Sequence, residues 1–557
     1  MKKLILFALV AIIALSMVLV GCGGSTTTTQ ATNTPTATQT TTVAPSTQPT
    51  GTTTATATST APYGELKVVE PDFSYDQFDP NYYTATWGYE IYNTLITYDK
   101  NGNFIGDVAQ SWSISPDGNT WTFKIRNDIK FSDGTPLTAK DVKFSVDRFS
   151  SGNSTNPWSP YLHNNYVSTS APDATTFIYV TKHPEPTLAA VFAATWILPM
   201  DYLNKVGITE FNKHPIGSGS WVMTDHVAET SITFTANTAT WKDVPAFKTL
   251  FIQQVPEEAT RLAMFKSGDA DIVIQLSTDR LVSMQKSGTK TVTVGLPNEY
   301  TIVWPDTFVT DGPTSDIRVR QAMSYAINRQ EICDTYFQGT AVPGGRWFMS
   351  PNSWGWSGAS QEVQNGDPYD PAKAKQLLAD AGYPSKFSNP TINFFVTATQ
   401  SDFAQVLQGF WQAVGIDVKI VTMESVAWSG IVFVRNTKPD ATQAGGMWMW
   451  GPFPAAANAV YQSANMYTNT GVHSTSNDTQ ATALYNTVTK DLDPAQALKD
   501  WDTFLDYAYN MWVNTGTVMI QPLYIVSSKV GTVGRNWISW DNSYSTVTHS
   551  ASDTPTQ

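Results

Sequence analysis

The stretch 115–149, SPDGNTWTFKIRNDIKFSDGTPLTAKDVKFSVDRF, has the most definite local pattern in this chain of 557 residues. Its opening Ser-Pro-Asp-Gly-Asn is typical of a turn, because Pro fixes φ and Gly accepts a positive φ. Apolar residues then alternate from 121 to 125, which predicts a strand with one buried face. Thr138, followed three residues later by Asp141, predicts a capping box at the start of a helix. By themselves, these residues predict a hairpin and a helix of a mixed α/β domain.

The order of motifs in this stretch resembles the signature region of a known family. W-T-F-x-x-R is followed by F-x-D-G-T-P-L-T-A-x-D-V and then by a further Arg. Two later segments, 261–273 (RLAMFKSGDADIV) and 316–339 (DIRVRQAMSYAINRQEICDTYFQG), resemble further family motifs. The chain is identified as a member of family 5 of the extracellular solute-binding proteins. These are the oligopeptide-, dipeptide- and nickel-binding receptors of ABC importers, and the resemblance covers about residues 64–540.

The resemblance implies an α/β fold of two lobes joined by a hinge, the large cluster C type of periplasmic binding protein. A ligand would lie between the lobes, and closure would bury it. The predicted boundaries are 63–302 for lobe 1, with an extra subdomain inserted at about 87–214, 303–515 for lobe 2, and 516–557 for a return to lobe 1 and a C-terminal tail.

The N-terminus has the pattern of an export signal. Two lysines precede an apolar run from 4 to 20, and Leu-Val-Gly-Cys at 19–22 resembles a bacterial lipobox. We predict a lipoprotein signal peptide over 1–21, lipidation of Cys22, and a receptor anchored outside the cytoplasmic membrane, either periplasmic or at the cell surface. An uncleaved helical anchor is the alternative. Residues 22–62 are rich in Thr and Ser and contain no charge, which predicts a disordered tether.

The composition excludes several kinds of partner. The chain has 47 Asp and Glu against 34 Lys and Arg, a formal net charge of −13. Such a surface repels nucleic acid, so we expect no nucleic-acid partner. The six histidines are scattered and form no readable metal cluster. The glycines of 215–221, PIGSGSW, match a family turn and lack the third glycine of a nucleotide-binding loop. We expect no cofactor, no metal and a monomer.

Carrying the family pattern onto this sequence implies candidate ligand contacts in both lobes. Residues 84–86 match a segment whose backbone forms hydrogen bonds with the backbone of an extended peptide. This kind of binding depends little on the side chains of the peptide. Arg435 matches an arginine that meets peptide carboxylates, with a structural ion pair as the alternative. For Trp428 the alternative is packing in the core. The full set of candidates is Thr84, Ala85, Thr86, Trp158, Tyr161, Trp428, Arg435, Trp448 and Trp450.

The segment 445–454, GGMWMWGPFP, departs from the family pattern W-x-x-D, whose Asp holds the α-amino group of a peptide. Counted from Trp448, that position is Gly451, and an ammonium group buried without a carboxylate loses several kcal/mol. Free-amine peptides are therefore disfavoured, whereas Trp448 and Trp450 suggest a platform for sugar rings. We expect an oligosaccharide or another solute without a free amine. The alternatives are an oligopeptide or dipeptide as ligand and, for the two tryptophans, simple packing of a buried strand.

The predicted function is a receptor without catalytic activity that delivers its solute to the transmembrane subunits of an ABC permease. The competing class is a secreted glycoside hydrolase, which needs two suitably placed carboxylates. The sequence contains no nucleophile elbow, no H-E-x-x-H and no carboxylate pair in a defined setting. No catalytic residue is assigned.

Overall fold

The chain divides into two units, Met1–Ser59 and Thr60–Gln557, and every residue described here lies in the second. The computed structural model describes residues 61–553 with gaps at 74–75, 83–86, 100–103, 155, 157–158, 186–187, 243, 295–296, 306, 309–311, 346–365, 433–444, 455–458, 470, 472, 474 and 535–543. The predicted signal peptide, Cys22 and nearly all of the tether lie outside this range. Within it, no helix combines the length and the apolar character needed to cross a membrane.

Strands and helices alternate along the described chain. The strands are β1 (Tyr63–Glu70), β2 (Ile96–Tyr98), β3 (Phe104–Gly106), β4 (Ala109–Ile114), β5 (Thr120–Ile125), β6 (Tyr166–Asp173), β7 (Thr176–Thr181), β8 (Trp221–Val227), β9 (Ser231–Ala236), β10 (Phe247–Gln254), β11 (Ile272–Val273), β12 (Thr291–Thr293), β13 (Asn298–Val303), β14 (Ala341–Pro343), β15 (Ile392–Thr397), β16 (Val418–Met423), β17 (Met447–Pro454), β18 (Asn514–Ile520) and β19 (Leu523–Val526). The α-helices are α1 (Gly88–Ile91), α2 (Ala139–Phe149), α3 (Ser159–Asn165), α4 (Leu188–Phe192), α5 (Met200–Val206), α6 (Ile208–Phe211), α7 (Glu258–Ser267), α8 (Thr278–Lys286), α9 (Ile317–Tyr325), α10 (Arg329–Thr335), α11 (Pro371–Ala381), α12 (Ser401–Ala413), α13 (Ser425–Val432), α14 (Ala459–Tyr467), α15 (Thr479–Lys490) and α16 (Pro494–Tyr509).

The first lobe contains a sheet whose described strands run in the order β12-β19-β11-β1-β10-β9-β8. β1 is parallel to its two neighbours, β10 and β11, and the other adjacent strands of this sheet pair antiparallel. An antiparallel sheet in the order β4-β5-β7-β6 lies within residues 87–214, where the sequence predicts an inserted subdomain. The predicted strand is β5, with Trp121, Phe123 and Ile125 buried. The predicted capping box is also confirmed, because Thr138 and Asp141 exchange hydrogen bonds at the start of α2.

The second lobe contains a sheet in the order β14-β18-β13-β17-β15-β16. Adjacent residues of β13 point to opposite faces, so Ile302 joins one apolar core and Val303 another. The first core takes apolar residues from α9, α10, α11 and α12. The second takes them from α13, α14, α15 and α16. The second sheet is therefore covered on both faces, as expected for a layered α/β domain.

The chain crosses between the two sheets at two neighbouring places. β12 ends at Thr293 in the first sheet and β13 begins at Asn298 in the second. The chain returns to the first sheet between Ile520, where β18 ends, and Leu523, where β19 begins. The two crossing segments are neighbours, because the amide of Val294 donates to the carbonyl of Pro522 at 3.0 Å. The sheets therefore exchange strands a few residues outside the boundaries expected from the sequence, 302/303 and 515/516.

The two glycines of 215–221 allow two backbone segments to approach closely. The amide of Gly219 donates to the carbonyl of Ile91 at 2.8 Å, at the end of α1. A Cβ atom at Gly217 or Gly219 would collide with the backbone of α1. The motif thus has a packing role, which accounts for its glycines without a phosphate ligand.

Candidate ligand cleft

A bidentate ion pair holds the segment that follows β1 against the last turn of α2. Both terminal nitrogens of Arg148 donate to the carboxylate of Asp79, at 3.0 and 2.8 Å, and the carboxylate is fully buried. Asn156 Nδ2 donates to the carbonyl of Pro80 at 3.1 Å, and Ser154 Oγ donates to that of Asn81 at 3.0 Å. The described residues Pro80 and Asn81 are therefore held beside Ser154 and Asn156.

Several predicted contacts fall outside the described residues. They are Thr84, Ala85, Thr86, Trp158 and Arg435, and their binding roles stay predictions. The last described residue before each of them is Tyr82, which is exposed, Asn156, which is buried, and Val432, which is also buried.

Tyr161 connects the two lobes. It lies on α3 of the first lobe, and its hydroxyl donates to Asn465 Oδ1, on α14 of the second lobe, at 2.9 Å. A second bridge runs from Gln338 Nε2 to Asp279 Oδ1 at 2.7 Å. Leu492 Cδ1 also lies 3.0 Å from the position that a Cβ of Gly118 would occupy. The structure therefore has its lobes in contact, which is a closed arrangement.

We expect Tyr161→Phe to release ligand about five times faster than the wild type, because the closed state loses one cross-lobe hydrogen bond of about 1 kcal/mol. The measurement is stopped-flow tryptophan fluorescence on the protein loaded with whatever solute co-purifies with it. Tyr166→Phe is the matched control, since the Tyr166 hydroxyl contacts Asp147 within the same subdomain at 3.4 Å. Equal dissociation rates for the two variants would show that the bridge does not hold the closed state.

Three of the predicted tryptophans lie together in the second lobe. Trp428, Trp448 and Trp450 are buried, the last two with only 2% and 3% of their surface exposed. The ring of His473 packs edge-on against Trp450, with 4.6 Å between ring centroids, and Trp428 lies 6.2 Å from Trp450. His473 Nδ1 is 2.7 Å from the carbonyl of Val432. Burial lowers the pKa of His473 to about 4, so the ring is neutral at pH 7 and Nδ1 is the donor.

These tryptophans belong to the second apolar core of the lobe, together with Tyr485, Trp501 and Phe504. Their environment favours the packing alternative over an open stacking platform, because a sugar ring needs an accessible aromatic face. The binding roles of Trp428, Trp448 and Trp450 stay predictions. Sequence reasoning missed Asn465 and His473, and nothing in the sequence distinguishes that histidine from the other five.

The comparisons with known proteins agree with this geometry. Residues 103–473 match the model of the bacterial extracellular solute-binding proteins, family 5 Middle. The chain belongs to this family.

Family 5 receptors of known structure share its two-lobed fold. One is NikA from Brucella suis in complex with Fe(III)-EDTA, with a TM-score of 0.77 and 20% identity over 87% of this chain and 100% of that one. Another is DppA from Helicobacter pylori in complex with the peptide STSA, with a TM-score of 0.72 and 20% identity over 87% of this chain and 98% of that one.

Higher sequence identity is found with two other binding proteins. The glutathione-binding protein GsiB of Escherichia coli O1:K1 / APEC is 29% identical over 344 residues. The aligned region covers 60% of this chain and 64% of that protein. A putative ABC transporter peptide-binding protein of Brucella ovis is 27% identical over 372 residues, 64% of this chain and 67% of that protein. The match thus spans somewhat less than two thirds of the glutathione-binding protein.

Proposed function

We propose that this family 5 protein is an extracytoplasmic receptor that encloses a solute between its lobes and delivers it to the transmembrane subunits of an ABC importer. The observation that carries the proposal is the hydrogen bond between Tyr161 of the first lobe and Asn465 of the second. The same two lobes are joined by two neighbouring crossings of the chain. Lobes joined in this way close by a hinge motion. A ligand with higher affinity for the closed state shifts the population toward it. The receptor binds and releases its solute without chemical change, and one chain supplies both lobes, so a monomer suffices.

Two classes of ligand compete. An oligosaccharide needs exposed aromatic faces, and Trp448 and Trp450 are buried when the lobes are closed. A peptide-like solute has support from similar receptors, one of them named for glutathione and another for peptides. We therefore place a peptide-like solute first and an oligosaccharide second, which reverses the order expected from the sequence.

Mass spectrometry of the purified protein tests the receptor function. We expect native spectra to show one bound small solute, and denaturation to release it chemically intact. The same solute, added back to the emptied protein, should bind again and remain unchanged over hours. Steady conversion of the solute into a product would establish an enzyme instead. Failure of any solute to co-purify or to bind would remove the basis for a receptor.

We also propose that the protein is attached to the membrane through a lipid on Cys22, which lies outside the described residues. The sequence at 19–22 supports the proposal, since a small residue precedes the cysteine. In cells fed labelled palmitate, the wild type should incorporate the label, whereas Cys22→Ser should incorporate none and keep its signal peptide. A Cys22→Ser variant that is processed and retained by the membrane like the wild type would rule out the lipobox interpretation.

A further inference from the structure

An apolar contact joins the two lobes at a different place from the hydrogen bond of Tyr161. Leu492 lies in the short connection between α15 and α16 of the second lobe. Its Cδ1 atom is 3.0 Å from the position that a Cβ atom on Gly118 would occupy, and Pro184 Cβ is 2.6 Å from the same position. Gly118 belongs to the turn between β4 and β5, and Pro184 to the loop that follows β7. We call Gly118, Pro184 and Leu492 the apolar clasp.

The turn that carries Gly118 is held in place by hydrogen bonds within the first lobe. The Gly118 amide donates to the carbonyl of Ser115 at 2.8 Å, and the carbonyl of Asn119 accepts from the amide of Thr181 at 2.8 Å. Gly118 has a φ of +74°, a conformation that favours glycine. A side chain at this position would be strained and would also collide with the other two members of the clasp. The glycine therefore both allows the turn and makes room for Leu492.

Helix α3 supports both contacts between the lobes. Tyr161, near its beginning, forms the hydrogen bond to the second lobe. Asn165, at its end, is buried, and its side-chain amide donates to the carbonyl of His183 at 3.0 Å and to Glu185 Oε2 at 2.7 Å. Its Oδ1 accepts from the amide of His183 at 3.1 Å. These bonds hold the loop on either side of Pro184, so one helix positions the polar contact and the apolar one.

The clasp favours the closed arrangement whether or not a solute is present. Leu492 keeps 42% of its surface exposed with the lobes in contact. Separation of the lobes would return the surface that touches Gly118 and Pro184 to water, which is unfavourable for apolar atoms. The contact forms between residues of the protein alone, so its contribution does not depend on what the cleft contains.

We propose that the apolar clasp sets the affinity of the receptor by stabilising the closed state, with Leu492 as a positioning residue that acts through lobe closure. The inference rests on the receptor function proposed above and concerns the regulation of its site. The apparent affinity of a solute scales with the population of the conformation that holds it. A clasp that raises the closed population of the empty protein, even from a small fraction, strengthens binding of every enclosed solute by the same factor.

Cross-linking of the emptied full-length protein tests whether the clasp forms without a solute. Pro184→Cys and Leu492→Cys are combined in one chain and treated with a short bismaleimide. We expect an intramolecular cross-link to accumulate before any solute is added, because each molecule that closes is trapped. Faster migration in a denaturing gel reports the cross-link. The two single-cysteine variants control for the two native cysteines and should give no such band.

Leu492→Ala tests the effect on affinity. The probe is the solute extracted from denatured wild-type protein, followed by stopped-flow tryptophan fluorescence. We expect release to be about three- to tenfold faster, the range for loss of a partly buried leucine contact, and association to be unchanged. The free energy of unfolding in urea should stay at the wild-type value. Leu498→Ala is the matched control, since Leu498 is another partly exposed leucine, on α16. It should release the solute at the wild-type rate.

Absence of the cross-link in the emptied protein would overturn the clasp, as would equal release rates for Leu492→Ala and the wild type. Faster release together with a large loss of stability would also overturn it, because Leu492 would then support the fold of its own lobe. In these cases a wild type that binds the extracted solute keeps its receptor function. If no solute can be extracted or bound, the receptor function fails and the effect on affinity fails with it, whereas the cross-link still reports whether the lobes meet.

Discussion

Arg148→Ala is expected to lower the free energy of unfolding by about 3–5 kcal/mol, the usual effect of removing one partner of a buried ion pair. The variant leaves the fully buried carboxylate of Asp79 without its bidentate partner. It also releases the segment that leads from β1 to the predicted ligand contacts at 84–86. Urea unfolding measures the stability, and limited proteolysis reports whether the chain near Asp79 becomes accessible.

The matched control is Lys213→Ala, which removes an ion pair with Glu210 in which both side chains are largely exposed. Such surface pairs contribute at most about 1 kcal/mol. An Arg148→Ala variant as stable as Lys213→Ala, with unchanged proteolysis, would show that the pair does not organise this segment.

Trp448→Ala is expected to destabilise the protein by about 3–5 kcal/mol, because it removes a large side chain from the core formed with Trp501 and Phe504. The measurement is again urea unfolding, combined with the affinity for the co-purifying solute. Loss of stability should be the main effect, and any loss of affinity should follow from it. This outcome differs from that expected of a stacking platform.

Tyr369→Ala provides the control for removing an aromatic ring, since about half of the Tyr369 surface is exposed, 48%. It should change stability by no more than about 1 kcal/mol. If Trp448→Ala unfolds like the wild type but binds its solute far more weakly, the indole stacks on ligand, and an oligosaccharide becomes the leading candidate.

Local features of the fold were predictable from the sequence. The strand at 120–125 follows from alternating side chains, and the capping box follows from two polar residues at a fixed spacing. Both depend on neighbours within one turn or one strand. The position of the chain crossings was less predictable, because β13 has the same apolar pattern whichever sheet it joins.

The candidate site was harder to predict, since its contacts join distant parts of the chain. Tyr161 and Asn465 are 304 residues apart, and only the closed fold brings them together. The sequence placed no carboxylate at Gly451 on β17, which argued against an amine. On the neighbouring strand β13, Thr301 lies opposite Trp450 and Val303 opposite Trp448. Strand register decides this proximity, and register cannot be read from one strand alone.

Small-angle X-ray scattering tests most directly whether the two lobes close around a ligand. The profile of the protein emptied of solute is compared with its profile at saturation with the solute identified by mass spectrometry. We predict a smaller radius of gyration and a narrower distance distribution when the solute is bound, because closure brings the lobes together. Identical profiles at saturating solute would contradict it and indicate a rigid pocket.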